Sequence, residues 1–150
     1  MQERLHQDMK DAMRAGDTVR RDTVRMLISA LKNAAIEKRG ELTEEDQLDV
    51  LAREAKKRRE AADSYRGVGR PDVADKEEAE LRVIEDYLPK QLSEEDVRAI
   101  AREVIAELKP ATARDMGKVM SEVMPRLKGR MDGKRASALI REEFNSAVSG

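Results

Sequence analysis

The sequence predicts an all-α protein in which an N-terminal four-helix region is followed by a small C-terminal three-helix domain. The first observation is composition: 41% of the 150 residues are charged, and the only aromatic residues are two Tyr and one Phe. The core must therefore consist of aliphatic side chains and Met, most of which lose little rotamer freedom in a helix, whereas strands favour aromatic and β-branched residues. The second observation is that apolar residues recur at spacings of three and four, the period of an amphipathic helix.

The first two predicted helices, at about 2–15 and 17–38, each have one apolar face. The first helix ends before Gly16, and Asp17 is placed to cap the second. The apolar face of the second helix consists of Val24, Leu27, Ile28, Leu31, Ala34 and Ala35.

The third and fourth predicted helices, at about 43–66 and 72–87, carry opposite charges. The third contains a secondary basic patch of candidate phosphate-binding residues: Arg53, Lys56, Lys57 and Arg59. The more common interpretation of such a run is a solvated face, because acidic residues lie four positions before some of its arginines. We expect the acidic fourth helix to lie antiparallel to the third, where the charges partly cancel, which weakens the case for nucleic-acid binding there.

A domain boundary is expected at residues 89–92. Pro89 blocks continuation of the fourth helix, because proline lacks an amide hydrogen and disfavours helical backbone at the preceding residue. The boundary gives an N-terminal helical domain of residues 1–90 and a C-terminal three-helix domain of residues 91–150. The helices of the second domain are predicted at about 93–108, 113–127 and 133–148.

The strongest functional signal is the basic turn between the last two predicted helices, residues 126–135. Its candidate phosphate-binding residues are Arg126, Lys128, Gly129, Arg130, Gly133, Lys134 and Arg135. The glycines allow close approach of the backbone, the following helix directs free amides outward, and the basic side chains add charge, as in a phosphate cradle. Asp132 is the expected N-cap of that helix. The alternative interpretation is a solvated basic loop.

Three segments resemble the GatB/YqeY family, specifically its free-standing YqeY-like members. They are RMLISALKNAAIEK (25–38), VIEDYLPKQLSEED (83–96) and DMGKVMSEVMPRLKGRMDGK (115–134). The resemblance covers essentially the whole chain and implies an all-helical, two-domain fold. It also implies that the C-terminal domain is similar to the tail domain of the B subunit of tRNA-dependent amidotransferases, which helps to hold tRNA. One departure from the family pattern is Met131, where a small residue is expected.

Two functions follow from this resemblance. The first is a tRNA-binding or amidotransferase-associated module that holds RNA phosphates in the basic turn and has no catalysis of its own. The alternative is a protein–protein adaptor for an aminoacyl-tRNA amidotransferase, an aminoacyl-tRNA synthetase or another partner. The family is linked to glutamine-dependent carbon–nitrogen ligases, but neither a glutamine-hydrolysing nucleophile nor an ATP site is visible in this sequence.

No catalytic residue, cofactor or metal site is expected. Cysteine is absent, and the only histidine, His6, lies in the polar part of the first helix without a Ser–His–Asp arrangement. The carboxylates lack the spacing of a calcium-binding loop. No apolar run approaches the ~20 residues that a membrane span requires, and the N-terminus is too charged for a signal peptide. We therefore expect no membrane partner and a cytoplasmic location.

Overall fold

The computed structural model describes residues 1–110 and 112–149, and within them it contains seven α-helices, one 3-10 turn and no strand. The predicted all-α fold, with four helices followed by three, is confirmed. The helices are α1 (Gln2–Ala15), α2 (Thr18–Lys38), α3 (Glu44–Gly67), α4 (Pro71–Glu85), α5 (Glu94–Leu108), α6 (Met116–Leu127) and α7 (Gly133–Ser149). The chain divides into two compact units, Met1–Pro89 and Lys90–Gly150.

Local hydrogen bonds define several helix ends. Asp17 accepts a hydrogen bond from the Arg20 amide at 3.0 Å and so begins α2. Thr43 and Ser93 form capping boxes, in which each side chain accepts from the amide of an aspartate three residues later and that aspartate accepts from the cap amide. Gly16, with a φ of 73°, ends α1 in the left-handed conformation that glycine adopts without strain.

Two helix boundaries differ from the sequence-based expectation. The helix predicted to reach residue 87 ends at Glu85. Before Pro89 the hydrogen bonds span three residues instead of four, as in the bond from the Tyr87 amide to the Ile84 carbonyl. The helix predicted from residue 113 begins with a 3-10 turn at Ala113–Asp115, and α6 starts after it.

The first unit packs α1 to α4 around one core. Its buried side chains are Leu5, Val24, Leu27, Ile28, Leu31, Val50, Leu51, Ala55, Val83, Ile84 and Tyr87. The acidic α4 lies against the basic α3, and Arg66 near their connection forms ion pairs with Glu78 at 2.7 Å and Asp75 at 3.0 Å. Farther from the connection, Arg58 lies 3.4 Å from Glu80, which is the order expected of an antiparallel helix hairpin.

The second unit packs α5, α6 and α7 around a separate core that contains the only Phe of the chain, Phe144. The other buried residues are Val97, Ala101, Val104, Ile105, Val119, Val123, Leu127, Ala136, Leu139 and Ile140. Met131 is half-buried and also packs against this core, so the side chain that departs from the family pattern helps to close the interior.

Candidate nucleic-acid interface

The basic turn is formed by the connection between α6 and α7. Gly129 has a φ of 73°, a conformation that a residue with a Cβ adopts only at a cost, and it allows the chain to reverse after Leu127. The Arg130 amide then donates to the Leu127 carbonyl at 2.9 Å. Gly133 does not have a positive φ, and a Cβ placed on it would lie 4.0 Å from the terminal methyl carbon of Met124, an ordinary van der Waals contact.

Residues 90–92, just before α5, hold this turn in place. The Leu92 amide donates to the Arg130 carbonyl at 2.8 Å, and the side-chain amide of Gln91 donates to the Gly129 carbonyl at 2.8 Å. In the opposite direction, the Arg130 guanidinium donates to the Lys90 carbonyl at 3.2 Å. The turn is therefore bound on both its backbone and its central side chain by a segment about 40 positions earlier in the chain.

The N-terminus of α7 is capped by the protein's own carboxylate. Asp132 accepts a long hydrogen bond from the Arg135 amide at 3.4 Å, and the Asp132 carbonyl accepts from the Ala136 amide at 2.9 Å. A carboxylate at this position competes with any external anion for the helix N-terminus. A phosphate bound here would therefore be held mainly by side chains and less by backbone amides.

The basic side chains of the turn differ in how available they are. Arg126, Lys128, Lys134 and Arg135 are exposed, whereas Arg130 is half-buried. Arg135 forms an ion pair with Glu94 at 2.6 Å, and this hydrogen bond raises the pKa of the arginine and lowers that of the glutamate. Arg126 and Lys134 form no ion pair with any residue in the part of the chain that the structure describes.

All seven residues proposed from the sequence thus lie on or beside one turn, and the side chains of Arg130 and Arg135 are bound by groups from residues 90–94. The residues that contact the turn, namely Lys90, Gln91, Leu92 and Glu94, were not predicted from the sequence as part of the site. They lie in the family segment 83–96, which indicated that these positions matter. The segment alone does not show which residues it contacts.

The secondary basic patch on α3 does not form one surface. Lys56 pairs with Glu60 at 3.9 Å, and Arg59 is half-buried. Arg53 and Lys57 are exposed and line a groove between α2 and α3. At 100° of rotation per residue, four cations in a seven-residue run point to different sides of the helix.

Three other features bear on possible functional sites: metal-binding clusters, membrane-spanning helices and the histidine. Across residues 1–110 and 112–149, no cluster of three or more His, Cys, Asp or Glu side chains is arranged to hold a metal ion. Over the same residues, no helix is both long and apolar enough to cross a membrane. His6 is exposed on α1.

Comparison with known protein families gives a match over residues 2–144 to a family described as Yqey-like protein. This match confirms the resemblance seen in the three sequence segments.

Curated relatives include proteins named "Altered inheritance of mitochondria protein 41, mitochondrial". The one from Eremothecium gossypii is 33% identical over 108 residues, which cover 70% of this chain and 59% of the relative. The one from Lachancea thermotolerans is 32% identical over 108 residues, covering 70% and 58%. The one from Pyrenophora tritici-repentis is 27% identical over 143 residues, covering 93% and 78%. The chain thus spans just under three fifths of the length of the first two relatives.

Proposed function

The chain belongs to the YqeY-like protein family, and from this premise we propose that its second unit binds the phosphate backbone of tRNA through the basic turn. The single observation that carries the proposal is the combination of exposed cations with a fixed backbone. Arg126, Lys128 and Lys134 are exposed around a turn whose central residues are hydrogen-bonded to residues 90–92. A turn held in this way loses little conformational entropy when it binds a rigid polyanion.

Local charge, and not total charge, supports an RNA partner. The formal net charge of the chain is −1, so a general attraction between the whole protein and nucleic acid is absent. Five of the ten residues at 126–135 are basic and one is acidic. Clustering of this kind gives binding that is sensitive to salt and to the position of each cation. The proposed role is RNA binding without catalysis by this chain.

The proposal applies to either compartment that the findings suggest. The sequence led us to expect a cytoplasmic protein, whereas the matched relatives have names that include the word mitochondrial. Both compartments of a eukaryotic cell contain tRNA. Fractionation of cells that express the native gene, with immunodetection of the protein, would identify the compartment.

The test is a titration of fluorescently labelled tRNA with the full chain. Fluorescence anisotropy measures the affinity at several salt concentrations between about 50 and 200 mM. We expect the double variant Lys128→Glu/Lys134→Glu to bind about tenfold more weakly or worse, with a salt slope shallower by about two. Arg130 is left intact because its side chain holds the turn, so its replacement would combine a structural effect with an electrostatic one.

The matched control is Arg114→Glu/Lys118→Glu, which changes the net charge of the same unit equally at the other end of α6. Both residues are exposed, and the Lys118 ammonium lies 3.9 Å from the Asp115 carboxylate. We expect a small effect on affinity from this control. Undetectable binding at low salt, or equal losses in the two double variants, would refute the proposal. Equal affinity for a DNA duplex of the same length would instead reduce it to general polyanion binding.

A further inference from the structure

The first unit has an open groove between α2 and α3, which we name the α2–α3 groove. It encloses a volume of about 440 Å³. Its floor is formed by Met26, Ala30 and Ala34 of α2 and by Val50 of α3. The three α2 residues are half-buried and pack against the core from one side, which leaves their other side uncovered by the described residues of this chain.

The floor has the pattern of a helix-packing surface. Met26, Ala30 and Ala34 are spaced four residues apart, so they form a line along α2 that extends for about 12 Å at 1.5 Å per residue. Alanine at two of the three positions lets a second helix approach closely, and a methionine side chain adapts its shape to a neighbour. A groove of this length accommodates about two turns of a helix.

One wall of the groove is positively charged. Arg53 and Lys57 lie one turn apart on α3 and are both exposed. The Lys57 side chain is 68% exposed even though it lies 3.3 Å from Glu54, and Glu54 is itself bound more closely by Arg58, at 2.7 Å. An exposed pair of this kind contributes little stability, so Lys57 can exchange its partner for another carboxylate at small cost.

We propose that the α2–α3 groove binds an amphipathic helix of a partner protein. The apolar face of that helix packs on Ala30 and Ala34, and two acidic residues one turn apart on it face Arg53 and Lys57. Charge complementarity across the wall fixes the direction and register of the bound helix. Nucleic acid fits the groove less well, because its floor is apolar and two carboxylates, Glu37 and Glu54, line it. The proposal concerns the first unit and is independent of RNA binding at the basic turn.

Photo-crosslinking of the full-length protein in its own cells tests this inference. The probe is Asn33→p-benzoylphenylalanine, placed at an exposed position that lines the groove. The matched control places the same group at Lys32, which is exposed on the same helix outside the groove. We expect the probe at position 33, and not the control, to capture one peptide of another protein. Sequencing of that peptide should reveal an aliphatic face with two acidic residues three or four positions apart.

Charge reversal then tests the complementarity. Arg53→Glu/Lys57→Glu should lower the crosslinking yield by about tenfold or more, because attraction becomes repulsion at both positions. Lys10→Glu/Lys56→Glu has the same net charge change at exposed residues outside the groove and should leave the yield unchanged. Ala34→Met fills the groove without a change of charge and should also lower the yield. Circular dichroism of each variant confirms that it is folded.

Four outcomes would overturn the inference. They are a crosslink to RNA, a crosslink to a second copy of this chain, a protein yield no greater than that of the Lys32 control, and a yield insensitive to both the charge reversal and Ala34→Met. Because none of the substituted residues lies in the second unit, tRNA binding by the same variants should be unchanged.

Discussion

Replacement of Gln91 measures how strongly the basic turn depends on the segment before α5. The side-chain amide of Gln91 donates to the Gly129 carbonyl at 2.8 Å, and both residues are half-buried. In Gln91→Glu, a carboxylate of nearly the same shape has only acceptor oxygens, so it cannot donate to the carbonyl. A fully buried acceptor that loses its donor costs about 1–3 kcal/mol, so this range is an upper bound for the half-buried Gly129 carbonyl. Gln91→Met removes the donor without adding charge and should fall near the lower end of that range.

Amide hydrogen exchange in the native protein is the appropriate assay, because it reports opening of the turn separately from unfolding of the rest of the chain. The informative amides are those of Leu92 and Arg130, which donate to the Arg130 and Leu127 carbonyls. A loss of 1–3 kcal/mol corresponds to faster exchange by about 5- to 150-fold at these two positions. Amides in the core of the first unit should exchange at the wild-type rate.

The matched control is Gln2→Glu, the same chemical change at an exposed residue in the first turn of α1. It should leave exchange at Leu92 and Arg130 unaltered. Rates within twofold of wild type for both Gln91 variants would refute the conclusion that this side chain holds the turn. The backbone bond of Leu92 alone would then be sufficient.

Three further predictions concern local features of the fold. Gly129→Ala should destabilise the second unit by about 1–2 kcal/mol because it places a Cβ at a φ of 73°. Gly133→Ala should have nearly no effect on stability. Urea denaturation measures the free energy of unfolding of both variants. The hydrogen bond from Lys38 lowers the pKa of Asp46 to about 2, so the stability from this carboxylate is present above its unfolded pKa of about 4 and is lost as the pH falls toward 2. Asp46→Asn should flatten that part of the curve of melting temperature against pH. Burial and a hydrogen bond to the Asp8 carboxylate on α1 raise the pKa of Tyr87. The wild type should therefore lose stability as the pH rises above about 10, the unfolded pKa of tyrosine. The stability of Tyr87→Phe, measured by alkaline denaturation, should depend less on pH in this range.

The helices were predictable because the signals that define them are local. The Thr43 and Ser93 capping boxes join residues three positions apart, and the apolar faces repeat within each helix, so both can be recognised in a short window of sequence. The end of α4 was less predictable, because three-residue hydrogen bonds before Pro89 replace the last helical turn. Sequence periodicity does not distinguish these two bonding patterns over so few residues.

The position of the candidate site was predictable from the sequence, but the partners of its basic side chains were not. Its basic residues are contiguous enough to be recognised in the sequence, and the structure places them around one turn. The partners that change their availability lie about 40 residues away: Glu94 pairs with Arg135, and the Lys90 carbonyl accepts from Arg130. Pairings at such separations depend on how α5 and α7 pack, which no local pattern specifies. Counting charges along the sequence therefore overstated the positive charge available to a ligand.

If the turn binds RNA as proposed, these pairings limit the number of phosphates that it neutralises. Arg130 donates to the Lys90 carbonyl and Arg135 pairs with Glu94, and the other basic residues of the turn, Arg126, Lys128 and Lys134, are exposed. Three phosphate contacts predict a slope of log affinity against log salt of about −2 to −3. Glu94→Gln releases Arg135 from its 2.6 Å ion pair and should make that slope steeper by about one while increasing the affinity for tRNA.

The Glu94 variant separates two explanations of a positive binding result. If RNA contacts the turn itself, removal of the competing carboxylate at position 94 strengthens binding, whereas Glu95→Gln does not, because Glu95 is paired with Arg102 on α5. If RNA instead responds only to the total charge of the protein, the two neutralisations have the same effect, since each removes one negative charge. Anisotropy titrations of both variants over the same salt range distinguish these cases, and equal effects would place the RNA contact elsewhere on the protein.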